Sequence, residues 1–347
     1  MKVIFRFLSG LSLMVFASIF ISPKVLWISG LFSLMIPLVL AVNTILLIYL
    51  VVRGSRYFFY PLAVCIVGLL FLNRTVAIHN VIEADHVLKV LSYNVRVFNV
   101  YSHLNTDFVS SRKTIDWVEN RDDDIKCLQE FYVQPGSEIF STIKAISKKN
   151  PYYHFEPTVT NSKGAQFGMA IFSKYPIIHR GSLQVSESPH NSILYADVVK
   201  DEDTVRIYNV HLQSMSIDEQ QLTNSNRETI TNNLKQLVFQ LKHGFIRRAA
   251  QIDNLCKHLD RSPYPVILTG DLNDMPYSYS YQKLKKYLHS SFENGGRGFG
   301  FTFNGRMFFL RIDNQFYSEG VTLNEFETHR NVKYTDHFPI SADYSLE

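Results

Sequence analysis

Acidic residues are absent from the first 74 positions of this 347-residue chain, although 31 Asp and Glu follow. The same stretch holds six basic residues, Lys2, Arg6, Lys24, Arg53, Arg56 and Arg74. Taking those six from the total of 35 Lys and Arg leaves 29 against 31 acids, so a chain charged +4 overall is about −2 beyond residue 74. Proteins that bind nucleic acid without sequence preference draw affinity from Lys and Arg neutralising phosphates, and no such excess is present. Cysteine is scarce as well: Cys65, Cys127 and Cys256 form no Cys-x-x-Cys pair and no Cys/His cluster at zinc spacing. A disulfide framework and a structural zinc site are thereby excluded, and the three read as small buried hydrophobes.

Where acids are missing, apolar residues run long, over 3–21, 25–52 and 57–72. A helix needs about 20 apolar residues to cross the hydrocarbon core. The second run exceeds that. The first carries Arg6 near its start, where a long side chain can snorkel. The third is short, but Tyr57, Phe58, Phe59 and Tyr60 supply an aromatic belt. No small-residue cleavage site follows the first run and another apolar run comes directly after it, which argues against a removed signal peptide. The expected organisation is three transmembrane helices over 1–74, a linker over 75–86 and a soluble domain over 87–347. Lys2, Arg6, Arg53 and Arg56 fall on one side of such a bundle, Lys24 and Arg74 on the other. The richer side stays cytoplasmic, which predicts a multi-pass protein of the cell (inner) membrane with an extracytoplasmic domain. The lipid bilayer is the expected partner, and no obligate protein partner is evident.

From Val87 the pattern changes to short apolar strands between helical stretches. Strands are expected at 87–93, 125–129, 168–173, 194–199, 205–210, 266–269 and 311–317, and helices at 107–119, 137–148, 228–260 and 278–289. Several strands are continuous apolar runs, as in sheets covered on both faces. Strands interleaved with helices predict an α/β sandwich of packed layers. The polar stretch 214–244 reads as an insertion that continues into a helix through Leu234, Val238 and Leu241, with an ordinary surface helix as the plainer reading.

Polar residues gather where these strands end. Asn94 follows Leu-Ser-Tyr, Glu130 follows Leu-Gln, and His211 closes Asn-Val-His with Asn209 two residues earlier on the same face. Asp271 and Asn273 lie in Gly-Asp-Leu-Asn, Asp313 in Arg-Ile-Asp, and Asp336 with His337 in Thr-Asp-His-Phe-Pro. Singly, each has a dull explanation as turn residue, helix cap or structural histidine.

Together, in this order, they resemble the endonuclease/exonuclease/phosphatase superfamily. The likeness rests on Leu-Ser-Tyr-Asn-Val-Arg at 91–96, Leu-Gln-Glu at 128–130, Gly-Met-Ala-Ile-Phe-Ser-Lys-Tyr-Pro-Ile at 168–177 and Asn-Val-His-Leu-Gln-Ser at 209–214. It continues through Gly-Asp-Leu-Asn-Asp-Met-Pro-Tyr-Ser at 270–278, Arg-Ile-Asp at 311–313 and Thr-Asp-His-Phe-Pro-Ile at 335–340. Asn314-Gln315 depart from the pattern where an aromatic and an aliphatic residue are usual, which should affect packing rather than chemistry. The resemblance implies a DNase I-like, four-layer α/β sandwich of two central β-sheets flanked by helices, and a metal-dependent phosphoester hydrolase. It implies Mg²⁺ or Mn²⁺ at Glu130, Asn94 and Asp336. Asp271 positions or deprotonates the attacking water, and Asn273, His211 and Asn209 hold substrate. His337 contacts phosphate or acts as base, oriented by Asp313. Which of His211 and His337 is acid and which base stays open.

Elsewhere the plainer reading is preferred. Arg248 and Gln251, at i and i+3 of a helix, brace the scaffold, and Phe299–Phe303 with Phe308 and Phe309 form a core strand and hairpin, with a lipid-facing rim as the alternative. The substrate class expected from anchor and charge is a lipid headgroup or other membrane-proximal phosphoester. The alternative is an anchored nuclease. An inactive scaffold ranks behind both because Glu130, Asp271 and His337 are all present.

Overall fold

The structure is a computed structural model that describes residues 2–82, 84–105, 108–183, 191–215 and 227–346. The N-terminal segment forms α1 (Lys2–Ala17), α2 (Ile28–Leu34), α3 (Ile36–Val52) and α4 (Phe59–Gly68). Tight 3-10 turns extend α1 to Phe20 and α4 to Arg56–Arg74, giving two continuous 19-residue helices long and apolar enough to cross a membrane. The middle run is α2 and α3 bent by 48° at their junction. Pro37 lies in the first turn of α3, where its ring removes the N–H that would continue the helix from α2. Inside the bundle Asn43 donates to Ser12 Oγ at 3.1 Å and to the Val39 carbonyl at 2.8 Å, so a polar pair ties α3 to α1.

Strand β1 (Val76–Ile78) follows, then β2 (Leu88–Asn94), α5 (Val109–Asn120), β3 (Ile125–Val133), α6 (Thr142–Ile146), β4 (Tyr152–Thr160), β5 (Gln166–Ser173) and β6 (Ile177–Leu183). The second half holds β7 (Ser192–Lys200), β8 (Asp203–His211), α7 (Arg227–Leu259), β9 (Val266–Asp271), α8 (Tyr279–Leu284), β10 (His289–Ser290) and α9 (Ser291–Gly295). The chain ends with β11 (Arg297–Phe299), β12 (Asp313–Tyr317), β13 (Val321–Thr328) and β14 (Ile340–Leu346). Two six-stranded mixed sheets result, ordered β13-β14-β2-β3-β5-β4 and β10-β12-β9-β8-β7-β6.

Their inner faces share one core, Val90, Cys127, Ile171 and Ala342 meeting Leu194, Ala196, Ile207 and Ile267. Helix α5 covers the outside of the first sheet with Ile115 and Val118. Helices α7 and α8 cover the second with Ile252, Leu255, Cys256, Tyr281 and Leu284. This is the expected four-layer sandwich. The three cysteines are free, and Cys127 and Cys256 are buried. Gln315 bridges the sheets by donating to the carbonyls of Val90 and Ile340 at 3.1 and 3.3 Å, so the departure at 314–315 does serve packing.

The structure sharpens two expectations and corrects another. Within the expected linker at 75–86, Val76–Ile78 form β1, which pairs antiparallel with β11, Ala77 opposite Gly298. The aromatic run is not core: Phe299, Phe308 and Phe309 are exposed, and β11 has only three residues. Helix α7 carries Leu234 and Val238 on its exposed surface. The segment 216–226 of the expected insertion, and Asp107 at the expected start of α5, lie outside the described residues.

Candidate active site

Strand register builds the site. Strands β8 and β9 run parallel with His211 opposite Asp271, and β9 and β12 run antiparallel with Asp271 opposite Asp313. The pleat points matched residues of neighbouring strands the same way, so His211, Asp271 and Asp313 stand in a row. In the other sheet β2 and β3 are parallel and place Asn94 beside Gln129. A bulge in β3 between Leu128 and Phe131 then turns Glu130 toward the same edge. Glu130 adopts φ 49° and Asn273 φ 50°, left-handed conformations that cost about 1–3 kcal/mol and gather at functional sites.

The side chains converge. Asn94 Nδ2 donates to Glu130 Oε1 at 3.3 Å and to Asp271 Oδ2 at 3.1 Å. His211 Nε2 lies 3.8 Å from both of those oxygens. Asp313 Oδ2 is 2.9 Å from His337 Nδ1, which leaves Nε2 facing Asp271 Oδ2 at 3.8 Å. Thr335 fixes the loop: its hydroxyl donates to the Asn94 carbonyl at 3.2 Å and accepts from the His337 N–H at 3.1 Å. Asn273 is held at two points, its N–H donating to Asp271 Oδ1 at 2.7 Å and its Nδ2 to the Leu212 carbonyl at 3.0 Å.

Electrostatics separate the roles. Burial, reinforced by the Asp313 carboxylate, raises the Asp271 pKa above the usual carboxylate range. For His337, burial alone would lower the pKa, but Asp313 and Asp271 outweigh it and push it up to about 10. An imidazole in that setting is a cation at neutral pH and a hydrogen-bond donor at Nε2. Asp271, Asp313 and His337 also have ligand atoms within 4.8 Å of one another. Asp313 and His337 are engaged with each other, however. The oxygens that fit a hard divalent ion are those of Glu130 and Asp271, which converge on one amide.

Two predicted site residues fall elsewhere. Asn209 is fully buried, donating to the carbonyls of Leu128 and Ala170 and accepting from Gln129. It stitches the sheets together. Asp336 pairs with Arg96 at 3.3 Å on the rim, because a left-handed turn over Arg96–Asn99 directs the arginine there. It is not among the converging oxygens. Arg248 and Gln251 are buried braces as expected, Arg248 donating to the Gln213 carbonyl and pairing with Asp274, and Gln251 accepting from the Gln213 N–H. Sequence alone assigns Thr335 and Asp274 no role, although both lie inside the motifs that flag their neighbours.

Comparison with known families agrees with this geometry. The model of the endonuclease/exonuclease/phosphatase family matches residues 91–337. The chain belongs to that family. A phosphoester hydrolase of the endonuclease/exonuclease/phosphatase family therefore stands behind residue 91, in a family typically dependent on divalent metal. A second model, a domain of unknown function (DUF8431), matches residues 2–75, the whole apolar bundle. No curated protein matches the chain. Among solved structures, an endonuclease/exonuclease/phosphatase from Bacteroides vulgatus is 15% identical with a TM-score of 0.55, covering 76% of this chain and 100% of its own. A Bacteroides thetaiotaomicron mannosyl-6-phosphatase is 20% identical with a TM-score of 0.50, covering 75% and 100%. A humanized D. rerio TDP2 is 15% identical at 0.52, covering 75% and 99%. At such identities the likeness is one of fold.

Proposed function

We propose that this family member is a membrane-anchored, Mg²⁺-dependent phosphodiesterase acting on a lipid headgroup or another phosphoester held at the bilayer surface. One observation carries the reading. Met275 and Tyr277, in the loop that leaves Asp271, pack in a single apolar cluster with Val15, Phe16, Ile19 and Phe71 of the membrane-type helices. The catalytic edge is thereby within a few residues of the anchor, where a tethered enzyme meets membrane-bound substrate at raised effective concentration. A charge near −2 beyond residue 74 favours this over an anchored nuclease, which would use the same residues. Three spans and the excess of Lys and Arg at Lys2, Arg6, Arg53 and Arg56 favour an extracytoplasmic site in the inner membrane.

Glu130, Asn94 and Asp271 would hold the ion, and bound Mg²⁺ supplies positive charge to the non-bridging phosphate oxygens. Asp271 also accepts the proton of the attacking water. The His337 cation, held by Asp313, donates from Nε2 to a phosphate oxygen and offsets charge that grows as the ester bond breaks. His211 and Asn273 complete the phosphate contacts from the second sheet. Asp336 serves the rim through Arg96.

The test is a panel of bis-nitrophenyl phosphate, sphingomyelin, inositol phosphates and single- and double-stranded DNA given to the full chain, with and without Mg²⁺. Hydrolysis of a lipid phosphoester is expected, lost in EDTA and restored by Mg²⁺ or Mn²⁺. Full activity in excess EDTA would refute the metal assignment, and preference for DNA would refute the substrate class.

A further inference from the structure

The anchor touches the catalytic edge through one side chain in particular. Arg74 closes the helical stretch Arg56–Arg74 and is 7% exposed. Its Nη1 donates to the Pro276 carbonyl at 2.9 Å and its Nη2 to Gln282 Oε1 at 2.5 Å. The guanidinium lies 5.2 Å from the Phe71 ring centre and 5.5 Å from that of Tyr281. The Arg74 carbonyl accepts from Arg311 Nη2 at 3.0 Å, and Arg311 Nη1 holds Asn314 Oδ1 at 2.8 Å. In the next residue, the Thr75 hydroxyl meets the Tyr277 hydroxyl. One residue of the anchor thus contacts both segments that flank the carboxylate row: the loop leaving Asp271, and the Arg311–Asn314 stretch that presents Asp313.

We infer that Arg74 is a positioning residue for the hydrolase, so that the N-terminal bundle is a structural part of the active site. The inference rests on the assignment of Asp271 and Asn273 to the reaction. Two bonds already hold Asn273 at φ 50°, a conformation asparagine tolerates, and the residues that follow it take support from both sides. On the protein side Asp274 supplies that support through Ser280 Oγ at 2.8 Å and Arg248 Nε at 3.3 Å. On the membrane side Arg74 supplies it. An arginine suits the place: its planar fork reaches the Pro276 carbonyl and the Gln282 amide at once while stacking on aromatic rings, which lysine cannot reproduce.

The test uses the full chain in detergent or nanodiscs with a soluble nitrophenyl ester as substrate. Arg74→Met is expected to lower kcat by about 100-fold, the scale of a displacement near 1 Å, with KM unchanged. Hydrogen exchange of the 271–277 amides should accelerate. Lys24→Met cuts another anchor-to-domain ion pair, Lys24 to Asp253 at 3.1 Å, and should move neither kcat nor exchange at 271–277. Full kcat and unchanged exchange in Arg74→Met overturn the inference, as does an equal loss in Lys24→Met, which would show that loosening any anchor contact suffices. Should Arg74→Met not fold, Tyr277→Phe decides: reduced kcat at unchanged KM supports the inference and unchanged kcat overturns it. If the wild-type chain cleaves no ester, the hydrolase reading fails, while the exchange comparison still decides the role of Arg74.

Discussion

Asp271→Asn is expected to abolish turnover without unfolding the protein. The amide keeps the size of the carboxylate but cannot accept the proton of the attacking water, and it weakens the ion site shared with Glu130. A loss of about 10³-fold or more in kcat follows from the usual worth of a general base. Stability should move the other way. Asp271 is 1% exposed and lies beside Asp313, so its charge is a cost that the fold carries. A carboxyl whose pKa is raised on folding contributes less stability as pH climbs through and beyond the unfolded value, so at neutral pH the ionised form is destabilising. In EDTA the Asp271→Asn variant should therefore melt at or above the wild-type temperature. With Mg²⁺ present the order should reverse, because the wild type gains more binding free energy from the ion than the weakened site does. Near-normal turnover, or a melting temperature well below wild type in EDTA, would sink the assignment.

Gly270→Ala should yield no folded protein. Gly270 adopts φ 141°, and a Cβ there would lie 2.0 Å from the Val210 carbonyl oxygen. That neighbour is backbone of the paired strand β8 and cannot rotate away. Positive φ and a hard clash together cost about 4 kcal/mol or more, a large share of the stability of an ordinary domain. The same residue precedes Asp271, so partial relief of the clash would slide β9 against β8 and break the row His211–Asp271–Asp313. Soluble expression with a wild-type melting curve would contradict this account.

The sequence was most legible where two demands coincide. Strands β2, β3, β5, β8 and β9 are buried along most of their length, so they read as largely apolar runs, and β2, β8 and β9 end on the polar residues Asn94, His211 and Asp271 of the site. Strands β4, β6, β13 and β14 escape this reading; β14 lies inside its sheet but mixes Ser341, Asp343 and Ser345 into its run, whereas β4, β6 and β13 are sheet edges. Pro157 in β4 and His179 and Arg180 in β6 are tolerated there, since an edge leaves one side unpaired and solvated. Asn209 misled for a related reason. Its place two residues before His211 fixes its face but not its depth, and that face looks into the interface between the sheets. Asp336 pairs with Arg96 on the rim because of a left-handed turn at Arg96–Asn99, which no periodicity announces. Arg74 passed for a membrane-flanking charge: only the three-dimensional docking of the anchor reveals its partners at Pro276 and Gln282.

The pairing of β1 with β11 has a kinetic corollary. A flexible tether would let the hydrolase sweep a hemisphere of solution above its anchor, whereas a paired strand and a clamped Arg74 remove the slack. Under the proposed anchoring and lipid substrate, the catalytic edge would stand at a fixed height and orientation, and its encounters would be collisions in two dimensions. Its velocity should then follow the mole fraction of substrate in the membrane rather than the bulk concentration, and diluting the bilayer with inert lipid should slow it even when total substrate is unchanged.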